Sequence, residues 1–370
     1  MHEAETFKKT PLHDRHVALG GKMVNFAGWD MPVYYSGIIA EHEWTRKSCS
    51  FFDVSHLGEI HVEGPGAFQF LQSRLTNDMN KLKPYRMLYS LLCDEKAGVL
   101  DDILVYRGEA EDYYLIVNAA SIEKDMQAIL KYAPESLSVK NRSEETSCVA
   151  VQGPRAEAVL EKIFGFKLKD LSYYSFMQEN FSGGPVWISR SGYTGEDGFE
   201  IFSMNALAPK IWDKLAVEGK SEGAVPAGLG ARNTLRLEAG NALYGNDMDE
   251  TTTPLEAGLG WAVSFQKEGG FVGRDRMLAQ KENGLNRKLV GFKMLDKPVA
   301  RENYPIFKDG KKIGKVTSGS FAPTAGCNIG LGYVGKGFEI PGTQIDIEIH
   351  GRPVKAEVVS RPFIELKHKK

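Results

Sequence analysis

Short β-like runs, each closed by Gly, Pro, Asn or Asp, recur along this chain and set its plan. Glycine is abundant, 39 of 370 residues, and supplies many of the turns between the runs. "GEIHVEG" (58–64), "DDILVYR" (101–107), "YYLIVNA" (113–119), "CVAVQG" (148–153), "PVWISR" (185–190) and "FEIFS" (199–203) are examples. Helical patterns stand between them. Residues 64–75 place Phe68, Leu71 and Leu75 on one stripe. Residues 121–133 open with Ser121 as a cap and carry Ile122, Met126, Ile129 and Leu130 as the apolar set. Residues 153–165 have Pro in the first turn and end in Gly, and 230–240 form a further helix. "DDILVYR" and "YYLIVNA", separated by the turn "GEAED", read as a hairpin. Strands in runs with separate helices predict an α+β fold rather than alternating α/β. From about residue 285 the pattern is nearly all β, through "TQIDIEIHG" (343–351), which predicts a C-terminal barrel or sandwich. A length of 370 residues suggests two or three domains.

The charge balance, 46 Lys+Arg against 48 Asp+Glu, argues against a nucleic-acid binder, which needs a basic excess somewhere. The one basic cluster, "KHKK" (367–370), reads as a frayed, soluble tail. No apolar run is long enough to span a bilayer. The opening "MHEAETFKKTPLHDRH" has no apolar core and no small-residue cleavage site, and it is too acidic for a transit peptide. A cytoplasmic protein is expected. Cys49, Cys93, Cys148 and Cys327 form no C-x-x-C pair, which fits reduced thiols and excludes a cysteine-built zinc site.

Some motifs can be set aside. "GLGYVG" (330–335) fits the dinucleotide pattern G-x-G-x-x-G. That motif needs a helix N-terminus to hold phosphates, and strand-like sequence follows here, so glycines in β structure are the reading. "GLGARN" (228–233) precedes a helix but lacks the third Gly. In "DVSH" (53–56) the Asp, Ser and His are too close in sequence to form a relay, and no G-x-S-x-G elbow exists. A polar loop with Asp53 and Ser55 bonded to backbone is expected there. Neither H-E-x-x-H nor a carboxylate-rich metal loop is present.

Three features carry chemistry. In "GVLDDILVY" (98–106) side chains alternate between faces, so Asp101 goes with Val99, Ile103 and Val105, and Asp102 with Leu100, Leu104 and Tyr106. Whichever face is inside, one carboxylate points to the core and must find a partner or shift its pKa. A buried Asp paired with an Arg is the plain structural reading. In "SGYTGEDGFEIF" (191–202) a glycine-rich acidic turn enters a strand, and Glu200 takes the face opposite Phe199 and Ile201. Such a carboxylate can accept two parallel hydrogen bonds from a planar, N–H-rich ligand; a cross-strand ion pair is the alternative. In "GLGARNTLRLEAG" (228–240) Arg232 falls in the first helical turn, where the macrodipole disfavours a cation, and Arg236 follows four residues on. Acidic partners or an anionic ligand would offset that cost. With Tyr89, Tyr106, Tyr173, Tyr174 and Tyr193 available for stacking, the set describes a site for a heteroaromatic ligand with an acidic group.

Taken in order, "FDVSHLGEI" (52–60), "GVLDDILVY", "VNAASIEKD" (117–125), "SRSGYTGEDGFEI" (189–201), "AGLGARNTLRLEAGNALYGNDMDE" (227–250) and "TSGSFAPT" (317–324) resemble the glycine cleavage system T-protein family, tetrahydrofolate-dependent aminomethyltransferases. The resemblance implies three domains in a cloverleaf around a central folate-binding opening. These would be 1–52 plus 143–265, 53–142 carrying Asp102, and a barrel or jelly-roll-like domain at 285–370. It implies transfer of the methylene carbon of an aminomethyl group from lipoylated H-protein to tetrahydrofolate. Ammonia, 5,10-methylenetetrahydrofolate and dihydrolipoyl H-protein would result. Other glycine cleavage components would be transient partners, and no metal, nucleotide, nucleic acid or membrane is expected. By the same resemblance Asp102 is the catalytic acidic residue, Glu200 binds the pterin, and Arg232 is the substrate-site cation. Tyr89, Tyr173, Tyr193, Leu57, Leu104 and Asn118 line the folate pocket. Two departures are conservative: Ala97-Gly98 stands for a double Gly, and "DVSHL" for "DVSHM". Residues after "RPF" (361–363) match no pattern, and His368 or a neighbouring Lys is left as an open participant. A same-fold folate-dependent demethylase and a folate-binding iron–sulfur assembly factor are the alternatives. The latter carries a cysteine signature that this chain lacks.

Overall fold

In the computed structural model, which describes residues 7–368, the strands Cys49–Asp53 and Thr146–Gln152 lie side by side. They sit within a six-stranded sheet of order Phe176–Phe181, Gly184–Ser189, Gly198–Met204, Thr146–Gln152, Cys49–Asp53, Ala224–Pro226. Only the last strand joins in parallel. Alternation sends Phe51, Val151, Phe199 and Ile201 to one face. There they meet Leu160 of helix Ala156–Phe164 and Ile211, Trp212 and Leu215 of helix Ala208–Ser221. A period of two on the strands thus packs against a period of 3.6 on the helices.

The chain between those two neighbouring strands builds a second, antiparallel sheet. Its order is Arg86–Cys93, Val99–Arg107, Asp112–Val117, Gly58–Glu63, Ser138–Asn141. Helices Ala67–Arg74 and Ile122–Leu130 contribute Leu71 and Ile129 to a core with Ile60, Ile103, Val105 and Leu115. The expected hairpin is present, with Arg107 opposite Tyr113. Its second strand stops at Val117 rather than 119, because Asn118 turns its amide groups toward two aspartates. Ser121 takes the cap position of the next helix, but its side chain makes no capping bond. Leu130 is 49% exposed; at 100° per residue it falls about a quarter turn off the stripe of Ile122, Met126 and Ile129.

The C-terminal strands close into a barrel of order Arg287–Met294, Cys327–Gly335, Lys311–Ala322, Pro305–Lys308, Gln344–Ile349, Arg352–Val359. Asp309-Gly310 and His350-Gly351 connect adjacent strands with positive φ at both residues, the two-residue turn whose twist suits a hairpin. "GLGYVG" lies inside strand Cys327–Gly335 and opens no helix. The architecture is α+β with an all-β C-terminal unit, as the patterning predicts. Close approach requires glycine at position 98: a Cβ on Gly98 would lie 2.0 Å from the backbone oxygen of Glu250. This glycine sets the start of the strand that carries Asp102. Among the described residues no helix is long and apolar enough to cross a membrane.

Candidate active site

Strand register assembles the acidic centre. Leu91 lies opposite Asp102 and Tyr89 opposite Leu104, so Tyr89 is a diagonal neighbour of Asp102 on the same face. Its hydroxyl donates to Asp102 Oδ2 at 3.0 Å. On the other side Leu104 pairs with Ile116. The same register carried two residues on brings Asn118 beside Asp102, and Asn118 Nδ2 donates to Oδ1 at 3.0 Å. Asp101 points the other way and is fully buried. It accepts from the backbone N and from Nδ2 of Asn118, both at 2.8 Å. The expected Arg partner is replaced by an amide, which supplies two donors without bringing a charge into the sheet. Burial raises the pKa of Asp102, and the charge of Asp101 raises it further; the bonds from Tyr89 and Asn118 only partly oppose this.

Glu200 lies in strand Gly198–Met204, opposite Ser189 and Ala150. Its neighbours Phe199 and Ile201 enter the helix-covered core, so Glu200 faces away from it. The Ser191 hydroxyl donates to Oε2, while among the described residues no donor reaches Oε1. No cross-strand ion pair forms here. Burial raises the pKa of Glu200 against the opposing effects of Ser191 and Arg232.

The two arginines of helix Leu229–Glu238 part company. Arg236 is satisfied by Asp247 at 2.7 Å, and by Asn233 and Ser318 at 2.9 Å each, so its partners are structural. Arg232 instead lies over the Tyr193 ring, 4.9 Å from its centroid, a cation–π contact. Its guanidinium makes no hydrogen bond or ion pair among the described residues.

One cavity of about 490 Å³ brings together Leu57, Tyr89, Asp102, Leu104, Asn118, Tyr173, Tyr193, Glu200 and Arg232. It lies where both sheets, the helix Leu229–Glu238 and the C-terminal segment meet. That segment is not a free tail up to residue 368. Lys367 N bonds Gly195 O at 2.8 Å, and His368 stacks on Tyr173 with centroids 4.4 Å apart. Lys369 and Lys370 lie outside the described residues. Sequence reasoning missed three lining groups. His56 is buried, with Nδ1 unpartnered among the described residues; burial and the nearby Arg232 bring its pKa down to about 4. The polar-loop reading of its neighbours holds, since Ser55 N bonds Asp53 Oδ1 at 2.9 Å and Ser55 Oγ bonds Cys148 O at 3.3 Å. Trp261, 64% exposed, stacks on Tyr89 at 5.0 Å, and Arg361 enters from beyond the barrel. No periodicity or motif marks either one. Chemically, the cavity offers a carboxylate of raised pKa, a second carboxylate with a free oxygen, a cation and flanking aromatic rings.

The model of the GCVT N-terminal domain matches residues 12–267, and that of the glycine cleavage T-protein C-terminal barrel domain matches 287–365. The aminomethyltransferase of Halothermothrix orenii is 46% identical over 357 residues, covering 96% of this chain and 100% of its own. That of Thermoanaerobacter sp. (strain X514) is 45% identical over 368 residues, covering 99% and 100%. The crystal structure of glycine cleavage system aminomethyltransferase T from Bartonella henselae superimposes with a TM-score of 0.93 at 35% identity, covering 99% of this chain and 100% of that one.

Proposed function

The chain belongs to the glycine cleavage T-protein family, and from that premise we propose how its cavity serves the reaction. The protein is an aminomethyltransferase of the glycine cleavage system. Tetrahydrofolate is the acceptor, and the aminomethyl group on the lipoyl arm of H-protein is the donor. The observation that carries this reading is the convergence of Asp102, Glu200 and Arg232, from two sheets and a helix, on one cavity.

Tetrahydrofolate is planar and N–H-rich at one end and acidic at the other, and the residues present suit both ends. Glu200, with Oε1 open, accepts from the pterin amino group and an adjacent ring N–H. Arg232, held over Tyr193 rather than neutralised by a carboxylate, supplies the cation. Tyr89, Tyr173 and Tyr193, with Leu57 and Leu104, form the walls that exclude water. Asn118 fixes the Asp102 carboxylate at the reacting end. There Asp102 stabilises the cationic character of the transferred carbon. Its raised pKa also suits it to accept a proton from the amine near neutral pH. Holding both reactants in one cavity lowers the entropic barrier.

The test is direct. Purified protein is supplied with aminomethyl-lipoyl H-protein and tetrahydrofolate, and ammonia and 5,10-methylenetetrahydrofolate are measured. Both products should form in step. Folate binding without either product would overturn the reading.

A further inference from the structure

Asp125 is a buried acid that the proposed reaction does not use. It sits in helix Ile122–Leu130, fully buried against the sheet. Among the described residues no donor reaches either of its carboxyl oxygens, and the acid it meets is Asp101, on the strand Val99–Arg107 against which this helix packs. The remaining charged and titratable groups around it are engaged elsewhere. Lys124, on the same helix, is bonded to Glu250 and to the Tyr244 hydroxyl. Tyr244 in turn donates to Val99 O at 3.2 Å. Asp102, across the strand, is held by Tyr89 and Asn118.

Two carboxylates in contact inside a protein cannot both ionise, so the pair shares a single proton. Its location follows from the donors. Asp101 accepts two N–H bonds from Asn118, at 2.8 Å each, and hydrogen bonds of that kind favour the ionised form. Asp125 accepts none among the described residues. Burial and the charge of Asp101 both act to keep Asp125 neutral.

We propose that Asp125 is a positioning residue that keeps its proton at neutral pH and donates it to Asp101, fixing the rotamer from which Asp101 orients Asn118 and thereby the Asp102 carboxylate. The kinetic part rests on the reading of Asp102 above; the proton itself does not.

The experiment has two arms. In the first, the intact protein is labelled with ¹³C-aspartate and its infrared spectrum recorded at neutral pH. A protonated-carboxyl band of labelled Asp should be present in Asp102→Asn, where Asp102 cannot contribute, and absent in the Asp102→Asn, Asp125→Asn double variant. A band missing from Asp102→Asn, or surviving in the double variant, overturns the proposal. In the second arm, Asp125→Asn keeps a neutral donor, so it should retain kcat and the acid limb of the pH profile. Asp125→Leu removes the donor, and kcat should fall about tenfold or more, with folate affinity changed by less than about twofold. Equal losses, or no loss, in the two variants would overturn the positioning role. If Asp125→Leu does not fold, Asp125→Asn and the spectra still decide. If wild type lacks transferase activity, the functional reading fails while the spectra still test the proton.

Discussion

Asn118 holds both oxygens of Asp101, one from its backbone N–H and one from Nδ2, each at 2.8 Å. The same Nδ2 reaches Asp102 Oδ1 at 3.0 Å. A single amide therefore sets the separation of two acids on opposite faces of one strand. Replacing it by Asn118→Ala leaves both acids short of a donor. The pKa of Asp102, already raised, rises further. If the ionised form does the work, activity is lost as pH falls through that pKa, so the acid limb of kcat moves to higher pH. At neutral pH kcat should drop roughly 10- to 100-fold, since a bond to a charged group contributes about 1.5–3 kcal/mol. A pH–rate profile with an unmoved limb would uncouple Asn118 from Asp102.

Asp102→Asn keeps the shape of the acid and its place between Tyr89 and Asn118, but removes both its charge and its basicity. Turnover should fall by about 10²-fold or more, the scale of losing a preorganised electrostatic contact in a dry site. Folate binding, measured by calorimetry, should persist. Near-normal turnover would remove Asp102 from the chemistry.

For Glu200 the expected split is the reverse. Glu200→Gln still accepts the Ser191 hydroxyl but offers one acceptor oxygen where the carboxylate offers two. Tetrahydrofolate affinity should weaken roughly 10- to 100-fold, the range for a lost charge-assisted pair. At saturating folate, kcat should be less affected. Unchanged affinity in a calorimetric titration would exclude Glu200 from the pterin end.

Much of this was legible because strand alternation acts locally. The opposite faces of Asp101 and Asp102 follow from "LDDI" alone, and so does the exit of Glu200 from the Phe199 face. The two helix arginines could be flagged as costly, but only the fold shows that Asp247 and Ser318 claim Arg236 and leave Arg232 over Tyr193. Asp125 was illegible for a different reason. In "SIEKDMQAIL" it stands three residues after Ile122 and four before Ile129, on the edge of their stripe, but which group it meets there is set only when that helix packs on the strand holding Asp101. Trp261 and Arg361 come from irregular segments with no period, so the cavity recruits them purely through tertiary placement. The C-terminal "KHKK" misled because composition reports charge, not the backbone bond to Gly195 or the stacking on Tyr173.

A last prediction concerns acid stability. Glu238, buried at the end of the helix that carries Arg232, accepts from Arg46 at 3.1 Å and from Thr324 N at 2.8 Å, and lies 3.1 Å from His42 Nε2. It therefore ties that helix to the barrel. Burial alone would raise its pKa, but the bonds from His42, Thr324 and Arg46 prevail and bring it from 4.5 down to about 2. A folded-state pKa below the unfolded one gives stability that is fully present above the unfolded value. That stability is lost as pH falls from there towards about 2. At 1.4 kcal/mol per unit, the contribution is about 3 kcal/mol. Glu238→Gln should cost about 3–5 kcal/mol at neutral pH, because Arg46 is left buried without its full partner. The variant should also lose less further stability on acidification than wild type does. Urea unfolding at pH values on either side of this window reads both effects. Parallel losses in wild type and variant would show that the acid sensitivity of the fold lies elsewhere.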